Sequence, residues 1–189
     1  MMRTAFLRLA AILVVCVTVP GCLQNRVRSV TESRRVHPDS AHSIVVVGLG
    51  LDVAWPFAAF SLSLDEYSIE KHDITGNCFR YNHIKVTRAS NPAKVTYYAY
   101  EVPAGAYVYS PFNANAVLAP SAPAKGFIAP AGRAVYFGDF VLAGNQTVEL
   151  RTDIDAARLS VRSLIPGNLR LEQAEFATVA PVHPFLCTL

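Results

Sequence analysis

Apolar residues fall into short runs along this chain, and most runs alternate with polar positions at a period of two. Ser43-Ile44-Val45-Val46-Val47-Gly48-Leu49 is the exception, a continuous β-branched run of the kind that forms a fully buried strand. Trp55-Pro56 then breaks the chain. Phe57 to Leu64 alternates, with Phe60, Leu62 and Leu64 on one face. Asp65 to Asn77 is polar, holds a glycine and reads as a loop. Cys78 to Val86 places Cys78, Arg80, Asn82, Ile84 and Val86 on one side. A turn follows at Arg88-Ala89-Ser90-Asn91-Pro92. In Lys94 to Val102, Val95, Tyr97 and Ala99 oppose Thr96, Tyr98 and Tyr100. Ala134 to Leu142 and Thr147 to Arg151 read as partner strands about a tight turn at Ala143-Gly144-Asn145-Gln146. One stretch has helical spacing: Thr152 or Asp153 caps it, Ile154, Ala157, Leu159, Val161 and Leu164 form its apolar stripe, and Pro166-Gly167 stops it. Leu169 to Val179 is ambiguous, with Phe176 to Val179 fitting a last strand. The pattern predicts a mainly β chain, an antiparallel β-sandwich with one short helix near the C-terminal third.

Two corners share a pattern. Pro103-Ala104-Gly105-Ala106-Tyr107-Val108-Tyr109 is echoed by Pro130-Ala131-Gly132-Arg133-Ala134-Val135-Tyr136 in the form Pro-Ala-Gly-x-x-Val-Tyr. Proline presets φ at the second turn position and glycine accepts a positive φ beyond it. Each corner is expected to be a type I turn with a glycine bulge, joining two strands as a hairpin.

The N-terminus is patterned differently. Arg3 and Arg8 precede an apolar run from Leu9 to Val19. That run is about 11 residues, suited to an export signal and short of the roughly 20 that span a bilayer as a helix. It ends in Val19-Pro20-Gly21-Cys22, which resembles the bacterial lipobox, although Pro20 departs from the residues usual there. The resemblance implies cleavage before Cys22 and acylation of that cysteine. Two or three acyl chains anchor a protein stably, whereas one holds it marginally. Leu23 in place of Asp implies sorting to the outer membrane of a diderm bacterium, facing the periplasm. The expected organisation is a signal over 1–21, a lipid-anchored flexible tether over 22–42 and the β-sandwich domain over 43–189. The tether is expected from Arg26, Arg28, Arg34 and Arg35 set against Glu32 and Asp39, with no apolar periodicity.

Charge and cysteine usage refine this picture. The formal charge of +3 includes Arg3 and Arg8, so the processed chain is nearly neutral. No block of Lys and Arg recurs in the folded part, which gives no electrostatic case for nucleic acid. Four cysteines are present. Cys16 leaves with the signal and Cys22 goes to lipid, so Cys78 and Cys187 are the candidate disulfide in an oxidising compartment. Such a bridge would close a loop of about 110 residues and stabilise by up to ~4.7 kcal/mol on the chain-entropy view.

Catalytic patterns are scarce. Gly-x-Ser-x-Gly, Cys-x-x-Cys and His-Glu-x-x-His are absent, and Gly48-Leu49-Gly50 precedes no helix. Glu70, His72 and Asp73, with His83 beyond, could supply oxygen and nitrogen ligands to a metal. A solvated polar loop is the plainer account, so no cofactor or metal is expected. Tyrosines are dense, and alternation sets Tyr98 and Tyr100 on one face as a candidate stacking platform for sugar or a partner protein. Structural use of the same rings is the ordinary alternative.

The stretch from Lys94 to Asp139 resembles small envelope lipoproteins of unknown function. The resemblance rests on Tyr-x-x-x-x-Pro-x-Gly-x-Tyr at Tyr98 to Tyr107 and on Ala-Gly-x-x-x-Tyr-x-Gly at Ala131 to Gly138. It implies a β-sandwich and brings no catalytic residues. The expectation is a non-enzymatic lipoprotein, held at the membrane through its N-terminal lipid, with a structural role or an envelope protein partner. A module that binds glycan or peptidoglycan fragments on its tyrosine face is the alternative.

Overall fold

The computed structural model describes residues 24–32, 41–77, 79–89, 93–113, 116–122, 125–143 and 147–180. Cys22, Cys78 and Cys187 lie outside the described residues, and so do the lipidation site and the disulfide read from the sequence. Thirteen strands form two sheets packed face to face, with one short helix among the described residues.

Sheet I runs β1 (Arg28–Val30), β6 (Ala93–Pro103), β2 (His42–Leu51), β10 (Ala134–Leu142), β11 (Thr147–Arg151) and β8 (Val117–Leu118), with β12 (Leu171–Gln173) also paired to β10. Sheet II runs β13 (Phe176–Ala177), β9 (Gly126–Ala129), β7 (Gly105–Tyr109), β3 (Ala59–Ser68) and β4 (Asp73–Ile74), with β5 (His83–Ala89) also paired to β3. Sheet II is antiparallel throughout. Sheet I is mixed, because β10 runs parallel to β2 and β12, and β11 runs parallel to β8. The antiparallel expectation therefore holds for one sheet only. Sequence alternation does not encode strand direction, so the parallel pairs left no trace in it.

The β2 run is apolar throughout because both of its faces are covered. Val45, Val47 and Leu49 enter the core between the sheets, where Phe127 stacks on Phe137 with ring centroids 4.3 Å apart. Ile44 and Val46 face a second core on the outside of sheet I. That outer face is covered by α1 (Ile154–Val161), which buries Ala157 and Val161. Asp153 caps the helix, its side chain accepting the Ala156 N–H at 3.0 Å.

The Pro-Ala-Gly corners are not hairpins. The first leads from β6 in sheet I to β7 in sheet II, and the second from β9 in sheet II back to β10 in sheet I. Each is an arch between the layers. Only at Gly132 is φ clearly left-handed, at 70°. The arches lean on the start of β2, where Ala104 N–H donates to Ala41 O at 2.9 Å and Gly132 N–H to His42 O at 2.8 Å. An arch and a hairpin need the same turn residues and the same alternation afterwards, so the motif could not separate them.

The tether expectation also needs correction over residues 24–32. Arg28–Val30 pairs antiparallel with β6, in register with Glu101 to Ala99, and Val30 is buried in the second core. Gln24 bridges to Arg80 in sequence order beyond Cys78. Three residues of backbone pairing and one buried valine leave no periodic signal, and the surrounding arginines mask it.

Candidate functional site

Asp65 does not begin a loop. It continues β3, which runs to Ser68, and its register partners are His83 on β5 and Val108 on β7. Leu64 points into the core, so alternation sends Asp65 to the outer face of sheet II. That face is covered at this point, and Asp65 is fully buried. Tyr81 donates its hydroxyl to Oδ1 at 2.5 Å, while Oδ2 has no hydrogen-bond partner. Desolvation pushes the Asp65 carboxyl above its ordinary value, and the neighbouring Ser110 and Tyr81 hydroxyls and His83 oppose the rise. Burial and the same carboxyl push the Tyr81 phenol up.

This arrangement brings a serine, a histidine and an acid together without making a nucleophilic triad. The carboxyl lies between the other two, bonded to a tyrosine instead of an imidazole. The His83 ring stacks on Tyr81 at 4.7 Å, and its Nδ1 faces Asn25 Nδ2 at 3.5 Å. Ser110 is buried, and its hydroxyl accepts the Phe112 N–H at 3.2 Å. Among the described residues, no three of His, Cys, Asp and Glu could hold a metal ion, so Glu70, His72, Asp73 and His83 do not form a ligand set.

Ser110 also borders a cleft of about 450 Å³. Its walls include Tyr109, Pro111, Ala116, Leu118 and Val179, with Lys125 as the cation. The geometry is built from β7 outward. Ser110 N–H donates to Ser63 O at 3.1 Å, and the Asn113 amide completes the edge of β3, giving and taking bonds with Ser63 at 2.9 and 2.7 Å. Tyr109 donates its hydroxyl to Ala116 O at 2.7 Å, fixing the far wall. Val117, which lines the cleft, is 68 % exposed, and Phe112, between the lining residues Pro111 and Asn113 in the chain, is 51 % exposed. The volume falls within the range of ligand pockets. The arrangement suits an apolar side chain from a partner, with Lys125 available to an acceptor beside it. No sequence pattern pointed here, because the cleft is assembled from connecting segments.

Tyr98 and Tyr100 do share a face, but that face is the inner one. Tyr98 donates to Thr87 O at 2.9 Å and Tyr100 to Lys85 O at 2.8 Å, so both reach across to β5 in the opposite sheet. Tyr100 is only 8 % exposed, and burial pushes its phenol up to about 12. Tyr100 is enclosed in the core, and Tyr98 packs half-buried against it.

A second buried acid lies on the outer face of sheet I. Asp139 accepts the Tyr136 hydroxyl at 2.5 Å and the Tyr97 hydroxyl at 3.2 Å. It fits because Gly48 stands opposite: a Cβ there would lie 2.1 Å from Asp139 Oδ1. Tyr136 in turn accepts the N–H of the cap residue Asp153 at 3.1 Å, which ties the sheet to the helix. This cluster is a brace with no adjoining cleft.

Comparison with family models, curated proteins and solved structures gives no match at all. The functional reading therefore rests on the chain's own chemistry. No helix among the described residues is long and apolar enough to cross a membrane.

Proposed function

We propose that this chain is a lipid-anchored bacterial envelope protein whose β-sandwich binds another envelope protein, without catalysing a reaction. The observation that carries the interaction reading is the mostly apolar cleft at the end of β7, with exposed Val117 in its lining and exposed Phe112 next to it in the chain. Solvent-exposed large apolar side chains beside a concave surface are the usual anchor points of a protein partner. The address comes from the Val-Pro-Gly-Cys signal and places the domain at the membrane through Cys22. The glycan alternative is the less favoured reading, since the Tyr98 and Tyr100 hydroxyls are engaged with β5.

The test is a crosslinking pull-down from native membranes with the intact protein, Val117→Arg and Cys22→Ser. A dominant partner that is recovered with the intact protein and lost with Val117→Arg supports the cleft. Loss with Cys22→Ser as well supports the anchor. Equal recovery by the intact protein and Val117→Arg would rule the cleft out as the contact.

A further inference from the structure

The described fold begins two residues after Cys22, and this fixes how an anchored domain must sit. Gln24 N–H donates to Phe79 O at 2.7 Å, and Gln24 O accepts the Tyr81 N–H at 3.1 Å. The next residues are held equally firmly. Asn25 bonds the backbone of His83 through both ends of its amide, at 2.9 and 3.3 Å. The buried Asn82 accepts the Arg26 N–H at 2.9 Å, and Val27 packs on the main core. Successive Cα atoms are about 3.8 Å apart, so the Cys22 Cα can lie no more than about 7.6 Å from that of Gln24. A chain attached to lipid at Cys22 therefore has no spacer.

We infer that the Gln24–Phe79–Arg80 end of the sandwich rests directly on the bilayer surface, with Phe79 seated at headgroup level. The inference rests on the anchor proposed above. Three observations support it. Phe79 is 71 % exposed, the most exposed of the large apolar side chains among the described residues. Its turn is rigid, since Asn77 Oδ1 accepts both the Phe79 and Arg80 N–H groups at 2.9 and 2.8 Å. Arg26 and Arg28 are exposed and two positions apart on an extended segment, so they project to the same side near the anchor. An aromatic ring flanked by cations matches the polar–apolar boundary of an anionic membrane. The opposite end of the sandwich carries Trp55 and Phe57. It lies about 20 Å away, since β3 takes six residue steps from Ala59 to Asp65 beside His83. That end faces away from the lipid.

The test uses the full-length precursor, processed in cells and reconstituted in phosphatidylethanolamine–phosphatidylglycerol vesicles. A photoreactive benzoylphenylalanine replaces Phe79 in one protein and Phe57 in another; both positions are exposed, so folding is not at stake. Intact-mass spectrometry first reports acylation of Cys22, then phospholipid adducts after illumination. The expected result is several-fold more lipid adduct from position 79 than from 57. That difference should collapse when a Gly/Ser insert of about 20 residues, with a mean reach of roughly 25 Å, separates Leu23 from Gln24. Equal yields from the two positions on an acylated protein would overturn the orientation while leaving the anchor standing. A processed protein with no acyl chain on Cys22 would refute the anchor and the orientation together.

Discussion

Tyr136→Phe keeps a fully buried ring and deletes one oxygen. That oxygen donates to Asp139 and accepts from the Asp153 N–H. The two losses are unequal. Asp153 is exposed, so its N–H can turn to water. Asp139 is 4 % exposed, so nothing replaces the donor it loses, although Tyr97 still holds Oδ2 at 3.2 Å. A hydrogen bond to a charged group contributes about 1.5–3 kcal/mol. With half of the clamp retained, a loss of about 2 kcal/mol is expected, or a fall in Tm of about 4–8 °C for a chain of this size. The deficit should depend on pH. Burial raises the Asp139 carboxyl above its ordinary 3.8, and the Tyr136 and Tyr97 hydroxyls pull it back. A raised folded value gives a contribution that is full below the unfolded pKa and lost as pH rises through the folded one. Deleting the Tyr136 hydroxyl raises the folded value further, so the deficit should widen from about pH 4 to about pH 8. Thermal unfolding followed by circular dichroism at both pH values measures this. A Tm equal to wild type at neutral pH, or a deficit larger in acid, would refute the clamp.

Three further substitutions test other parts of the fold. Asp65→Asn keeps an acceptor for Tyr81 and removes a buried charge, so urea unfolding should show higher stability at neutral pH and a smaller gain on acidification than wild type. Gly48→Ala drives a Cβ to 2.1 Å from Asp139 Oδ1 and 2.6 Å from Val95 Cγ1. It should cost about 1–3 kcal/mol by overpacking, and more than Gly50→Ala, whose nearest contact would be 3.2 Å; equal costs would contradict the steric account. Tyr100→Phe removes the bond to Lys85 O and should cost about 1 kcal/mol, read from the shift in the denaturant midpoint; no shift would mean the inter-sheet bond is not stabilising.

The strands that carry the two cores were legible because burial acts on their residue types directly. β10 and β11 run from Ala134 to Leu142 and from Thr147 to Arg151, as alternation and the intervening turn predicted. The helix appears with Asp153, one of the two residues offered as its cap, in that position. Several of the features that sequence missed share a cause. Alternation assigns every second residue to an outer face, but it does not say whether another layer covers that face. Asp65 falls in a stretch that reads as a polar loop and Asp139 in a strand whose faces the pattern does not assign, yet each is buried under a tyrosine hydroxyl. The same ambiguity left Tyr98 and Tyr100 open to a surface or a structural use, and both hydroxyls reach across to β5. The cleft was illegible for a different reason, since Ser110, Asn113 and Leu118 meet only after β7 and β3 are aligned.

The address on which the functional account depends can be read from one mass. The protein is extracted from the membrane fraction with detergent, and its intact mass and N-terminal peptide are determined. The account predicts a chain that begins at Cys22 and carries acyl groups on that residue. A chain that begins elsewhere, with an unmodified thiol at Cys22 and recovery in the soluble fraction, would contradict it.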